Sequence, residues 1–89
     1  MNDGGQAGLS RAVEQQLDRY FQLHEDALPP AGLYDRVMRE VETPLLRLTL
    51  RATRGNQSLA AQTLGINRNT LRRKLQALGL DGTDWKADR

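Results

Sequence analysis

From Gly55 to Leu75 the chain places small and apolar residues at intervals that suit one local geometry, two short helices crossing steeply through a tight turn. Such a crossing needs a small residue where the helices approach, and Ala61 supplies it. It needs a turn residue that a Cβ would oppose, and Gly65 supplies that. It needs apolar side chains to plug the angle between the helices, and Ile66, Leu71 and Leu75 fall there. The spacing Ala61-x3-Gly65-x5-Leu71-x3-Leu75 meets these demands together, whereas a generic helical hairpin meets only part of them. The first helix is expected over 57–64, ended by Gly65. The second is expected over 68–78, with Asn67 as its N-cap and Gly79 beyond its end.

The outward face of that second helix carries the functional signal. At about 100° per residue, Leu71, Leu75 and Leu78 share one arc, and Arg68, Asn69, Arg72, Arg73 and Gln76 share the opposite one. Arginine can pair bidentately with guanine, and asparagine with adenine, in the major groove of DNA. Lys74 lies on the flank and suits a phosphate. Asn56 and Ser58 open the preceding helix, where backbone N–H groups can hold a phosphate and the same side chains can cap the helix. Arg54 stands beside them as another phosphate contact.

Charge is distributed to match. Met1 to Glu42 holds eight acidic residues against Arg11, Arg19, Arg36 and Arg39, whereas Thr43 to Leu80 holds no acidic residue and seven basic ones. A carboxylate-free basic segment beside an acidic one is the footprint of a polyanion-binding face.

Upstream, residues 1–8 are Gly-rich and polar and read as a flexible leader. A first helix is expected from Leu9 to about Asp26, with Ser10 as its N-cap and a stripe of Leu9, Val13, Leu17, Tyr20, Phe21 and His24. Leu28-Pro29-Pro30-Ala31-Gly32 breaks it. A longer helix follows from Leu33 to about Thr53, its stripe formed by Tyr34, Val37, Met38, Val41, Leu45, Leu48 and Ala52. The stripe keeps phase across Pro44, so a kink is expected there and not a stop. Gly55 is expected to close this helix in the left-handed conformation. The organisation is thus a leader (1–8), a two-helix dimerisation region (9–54), a helix-turn-helix (55–80) and a polar tail (81–89).

The chain has 89 residues, 38% apolar and 4% aromatic. A core this thin favours pairing with a second copy. Val13, Leu17, Tyr20, Phe21, Val37, Val41, Leu45 and Leu48 are the side chains expected at such an interface. With no cysteine, disulfides and thiolate chemistry are excluded. His24 continues the first stripe as a helix-end packing residue, and Glu25, Asp26 and Asp35 flank the Pro-Pro loop as solubilising or capping groups. No glycine-rich phosphate loop or helical metal pair is present, so neither enzyme chemistry nor a cofactor is expected. No run of about 18 apolar residues spans a bilayer, and the start lacks the basic and apolar regions of a secretion signal. A cytoplasmic protein fits. Trp85, in the tail, is assigned no role.

The stretch from Tyr34 to Leu80, with "VETPLL" and "TRGNQSLAAQTLGINRNTLRRKLQALGL", resembles the Fis family and the related C-terminal domain of NtrC-type activators. "LDRYFQLHEDALPPAGLYDRVMREVE" matches more loosely, extending the resemblance over residues 9–80. Tyr20-Phe21 and Leu33-Tyr34 make it more similar to Fis itself. The resemblance implies an all-α, four-helix domain with a C-terminal helix-turn-helix, whose first two helices interlock with those of a second copy. It implies recognition helices closer together than one DNA turn, so that binding bends the duplex. The family's DNA-contacting positions match Asn56, Ser58, Asn67, Arg68, Thr70, Arg72, Arg73 and Lys74, with Arg68 reading bases and Arg72, Arg73 and Lys74 holding phosphate. Transcription regulation and nucleoid organisation follow, with double-stranded DNA, a second copy and RNA polymerase as partners.

Two departures stand out. Leu59 occupies a place where a basic residue is common. The eight residues before the expected first helix show no strand pattern for the N-terminal hairpin of the enterobacterial type, so recombinase stimulation is not expected. Two other readings stay open. One is the DNA-binding domain of an NtrC-type activator, since the sequence suits a complete small protein or a fragment equally. The other is a helical dimerisation adaptor without nucleic-acid binding.

Overall fold

The computed structural model describes residues 3–24 and 27–82, with side chains from residue 8 onward in those ranges. Among them are four helices and no strand: α1 (Asp3–Gln22), α2 (Leu33–Ala52), α3 (Gln57–Leu64) and α4 (Arg68–Ala77). The chain divides into two compact units, residues 1–33 and 34–89.

The first unit is built on α1. This helix begins at Asp3, six residues ahead of the expected Leu9, so 3–8 are helical and Ser10 lies inside the helix instead of capping it. Once a helix is nucleated, each added residue gains a hydrogen bond, and no proline interrupts residues 3–8. At the other end α1 stops at Gln22, short of the expected Asp26, and the cause is local. The His24 ring donates from Nδ1 to the Tyr20 carbonyl at 3.0 Å, taking the acceptor that a continuing helix would give to the His24 backbone. That backbone N–H turns to the Phe21 carbonyl instead, 3.0 Å away. The His24 and Tyr20 rings pack tilted with centroids 4.8 Å apart, so His24 is a helix-end packing residue. Glu25, Asp26 and Trp85 lie outside the described residues.

The second unit holds the core. Leu46 and Leu50 of α2, Ala60 and Ala61 of α3, Leu71 and Leu75 of α4, and Leu80 form one buried cluster, with Leu64, Ile66 and Leu78 packed against it. Burying a leucine fully stabilises by roughly 1.5–3 kcal/mol, so Leu50, Leu71 and Leu75, each at 0% exposure, anchor the unit. The buried row of α2 differs from the expected stripe. Leu46 and Leu50 face the core, whereas Tyr34, Val41, Leu45 and Leu48 are exposed. Helix α2 is apolar on two faces, and periodicity alone picks the wider one. Pro44 lies within α2 without ending it. Its missing N–H removes one hydrogen bond, and burial of the following turns through Leu46 and Leu50 holds the helix together.

Three helix ends close in the same way, by the paired backbone bonds of a Schellman motif. In α3, Gly65 (φ 78°) donates to Gln62, and Ile66 donates to Ala61 at 3.0 Å. In α4, Gly79 (φ 72°) donates to Gln76, and Leu80 donates to Leu75 at 2.8 Å, which lays Leu80 on the core. At the end of α2, Gly55 was expected to take the left-handed position that carries the closure. Gly55 is left-handed as expected (φ 81°), but Arg54 before it is left-handed too (φ 56°) and is the residue at which the reversal starts. The reason is register: Arg54 donates to Arg51 and Gly55 reaches back to Leu50, so the reversal begins one residue earlier.

Candidate nucleic-acid interface

Helices α3 and α4 are joined by Gly65, Ile66 and Asn67, and the local chemistry of this joint orients everything beyond it. Asn56 caps α3, its side-chain oxygen accepting the Leu59 N–H at 3.1 Å. Asn67 caps α4, accepting the Asn69 N–H at 2.7 Å. Each cap uses the amide oxygen and leaves the amide NH2 out of the bond. The first turns of both helices carry no acidic residue, so their unpaired N–H groups keep their positive character.

With Leu71 and Leu75 locked in the core, the opposite face of α4 turns outward. Asn69, Arg72, Arg73 and Gln76 are exposed there, and Thr70 and Lys74 are half-buried on its edges. Arg68, three residues before Leu71 and so about 60° from it, is exposed on the flank at the first turn and not on the opposite arc expected for it. Arg54, Asn56, Ser58 and Asn67 are exposed at the ends of α2, α3 and the joint. The expected site residues therefore all lie in the second unit, on α4 or at the helix ends beside it. Arginine and asparagine on one helical face form a surface of hydrogen-bond donors that can meet phosphates or base edges. Leu59 is 45% exposed, an apolar side chain on the otherwise polar first turn of α3.

Lys74 stands apart from the arginines. Its ammonium donates to Glu42 Oε2 at 2.7 Å, tying α4 to α2. Sequence reading missed Glu42, which lies 32 positions away. The one local sign was its place as the last carboxylate before the basic segment. Ala60, Leu46, Leu50 and Leu80 were missed as core residues. Met38, Leu46 and Leu50 at multiples of four carry a signal for two of them.

The side chains expected at a dimer interface are the less buried ones. Val13, Leu17 and Tyr20 of α1 and Val37 of α2 are half-buried, and Phe21, Val41, Leu45 and Leu48 are 43%, 38%, 49% and 56% exposed. Among the described residues no group of three or more histidines and carboxylates could hold a metal ion. No described helix is long and apolar enough to cross a membrane.

Comparison with known proteins adds an independent finding. Residues 37–78 match the family described as bacterial regulatory protein, Fis family. The chain is 62% identical over 73 residues to the DNA-binding transcriptional regulator NtrC of Azospirillum brasilense, an overlap of 82% of this chain and 15% of that protein. It is 46% identical over 72 residues to a Fis-like DNA-binding protein of Ralstonia nicotianae, covering 81% of this chain and 92% of that protein. With the DNA-binding protein Fis of Proteus mirabilis it shares 47% identity over 77 residues, 85% of this chain and 76% of the other. The chain thus spans nearly the whole of a Fis-like relative and about one-sixth of the NtrC relatives (15–16%). No solved structure matches it.

Proposed function

The chain belongs to the Fis family of bacterial regulatory proteins, and from that premise we propose that it binds double-stranded DNA as a homodimer in transcription regulation and nucleoid organisation. The observation that carries this reading is the outward face of α4, where Asn69, Arg72 and Arg73, with Arg68 on the flank, are exposed with no carboxylate between Thr43 and Leu80. Helix α4 enters the major groove, Arg68 and Asn69 read base edges, and Arg72 and Arg73 hold the backbone on either side. Asn56, Ser58, Asn67, Thr70 and Arg54 contact phosphates around the joint. The exposed apolar row Val41, Leu45 and Leu48, with Val37 and with Val13, Leu17, Tyr20 and Phe21 of α1, is buried against a second copy, which pairs the two recognition helices and bends the duplex between them. RNA polymerase is the further partner that regulation at a promoter brings in. The cytoplasm, on the nucleoid, is where such a protein acts.

A gel-shift titration across salt tests the reading. A protein neutralising several phosphates loses about 10³–10⁵ in affinity between 50 and 200 mM salt. Binding that is absent, or indifferent to salt, would sink the proposal and favour a dimerisation adaptor. The 62% identity to an NtrC protein over 73 residues favours a second reading, in which the same module is the DNA-binding part of a longer regulator. Both readings use the same face of α4. Ring closure of short duplexes separates them, because the first requires the chain by itself to bend DNA.

A further inference from the structure

The row Met38, Glu42, Leu46, Leu50 repeats every fourth residue and so lies along one face of α2. Its last two members are buried against Leu71 and Leu75 of α4. Next to those leucines, on the same side of α4, come Lys74 and Leu78, and Leu78 packs against the core. Glu42 and Lys74 therefore meet at the edge of what is otherwise an apolar seam. The pair itself lines a groove of about 340 Å³, together with Tyr34, Met38, Ala77 and Leu78 and the charged Asp35 and Arg39. The pair is 2.7 Å apart, with side chains 38% and 32% exposed for lysine and glutamate.

Its position relative to Pro44 matters as much as its geometry. Leu46 and Leu50 hold α2 to the core after Pro44, and Glu42, through its bond to Lys74, ties α2 to α4 before it. Proline removes a helical hydrogen bond, so the two halves of α2 are free to bend relative to each other unless both are attached. An apolar seam tolerates sliding by a turn, because one leucine can replace another. An ion pair at its edge favours one register, since a slip breaks the 2.7 Å contact and returns both half-exposed charges to water.

We propose that Glu42 and Lys74 are positioning residues: their ion pair fixes the register of the recognition helix on α2, and Lys74 does not act as a phosphate contact. The inference rests on the DNA-binding reading above. It assigns the cation to specificity, through the placing of α4, and removes it from the phosphate contacts that set the salt dependence.

The test uses the whole 89-residue chain on two duplexes, one selected from a random pool for tight binding and one of scrambled sequence. Lys74→Ala, Glu42→Gln and the apolar pair Glu42→Leu with Lys74→Met are each compared with the unsubstituted protein. The ratio of the two affinities is expected to fall about fivefold in all three, the equivalent of about 1 kcal/mol. The dependence of log affinity on log salt is expected to be unchanged by Lys74→Ala. The apolar pair is expected to melt close to the unsubstituted protein, since a pair one-third exposed contributes only about 0–1 kcal/mol. Loss of selectivity in a variant of full thermal stability cannot come from unfolding. The inference is overturned if Lys74→Ala keeps the affinity ratio and makes the salt slope less negative by about 0.9, the mark of one lost phosphate contact. It is also overturned if the apolar pair keeps full selectivity. Failure of the unsubstituted chain to bind either duplex overturns the DNA-binding reading itself.

Discussion

Gly55 donates its backbone N–H to the Leu50 carbonyl at 2.8 Å, and this closure of α2 holds Arg54 between them in the left-handed conformation (φ 56°). An L-residue with a β-carbon is strained there by roughly 1–2 kcal/mol, and glycine is not. The position is therefore better suited to glycine on stability grounds, while the arginine side chain stands exposed beside the first turn of α3.

Arg54→Gly is expected to raise the melting temperature by a few degrees, since about 1 kcal/mol moves a domain of this size by about 4–8 °C. The same change is expected to weaken binding to all duplexes alike, with a salt slope less negative by about 0.9. A variant that is more stable and binds as before would show that Arg54 has no part in the interface.

Arg68→Ala is expected to cost about 1–3 kcal/mol of discrimination on a selected duplex and far less on a scrambled one. Competition gel shifts with the two duplexes measure the difference. Equal loss on both would place Arg68 on phosphate alone.

Leu46 and Leu48 are two residues apart and are expected to respond oppositely. Leu46 is 2% exposed in the core, so Leu46→Arg places a charge there and should abolish helical circular dichroism at room temperature. Leu48 is 56% exposed, so Leu48→Arg together with Leu45→Arg should leave each chain helical while halving the mass seen by light scattering. A doubly substituted chain with unchanged mass would move the dimer interface elsewhere.

Gly65→Ala isolates a backbone effect. A β-carbon at Gly65 would meet nothing within 4 Å, so the cost lies in φ 78° and not in crowding. A loss of roughly 1–2 kcal/mol is expected in urea unfolding, with the denaturant slope unchanged. A much larger loss, or a changed slope, would mean that the joint rearranges.

What the sequence determined by itself was the part governed by near neighbours. Helices α3 and α4, their asparagine caps, the left-handed turn at Gly65 and the two faces of α4 all follow from residues within a turn or two of each other. Leucines at 71, 75 and 78 decide where the arginines point, because a helix has only one way to bury that row. Helix α1 starts six residues before the expected Leu9, since propensity changes little from one position to the next there, and it ends early because the His24 ring takes the Tyr20 carbonyl.

Only the tertiary structure decided which face of α2 goes inside. Both rows on that helix have helical spacing, and the choice of Leu46 and Leu50 over Leu45 and Leu48 depends on leucines of α4, well over a dozen residues further along the chain. The same holds for Glu42 and Lys74, separated by 32 positions and joined by one hydrogen bond. Periodicity registers how a chain can turn its side chains; which of those faces finds a partner is set by packing between segments that no local pattern encodes.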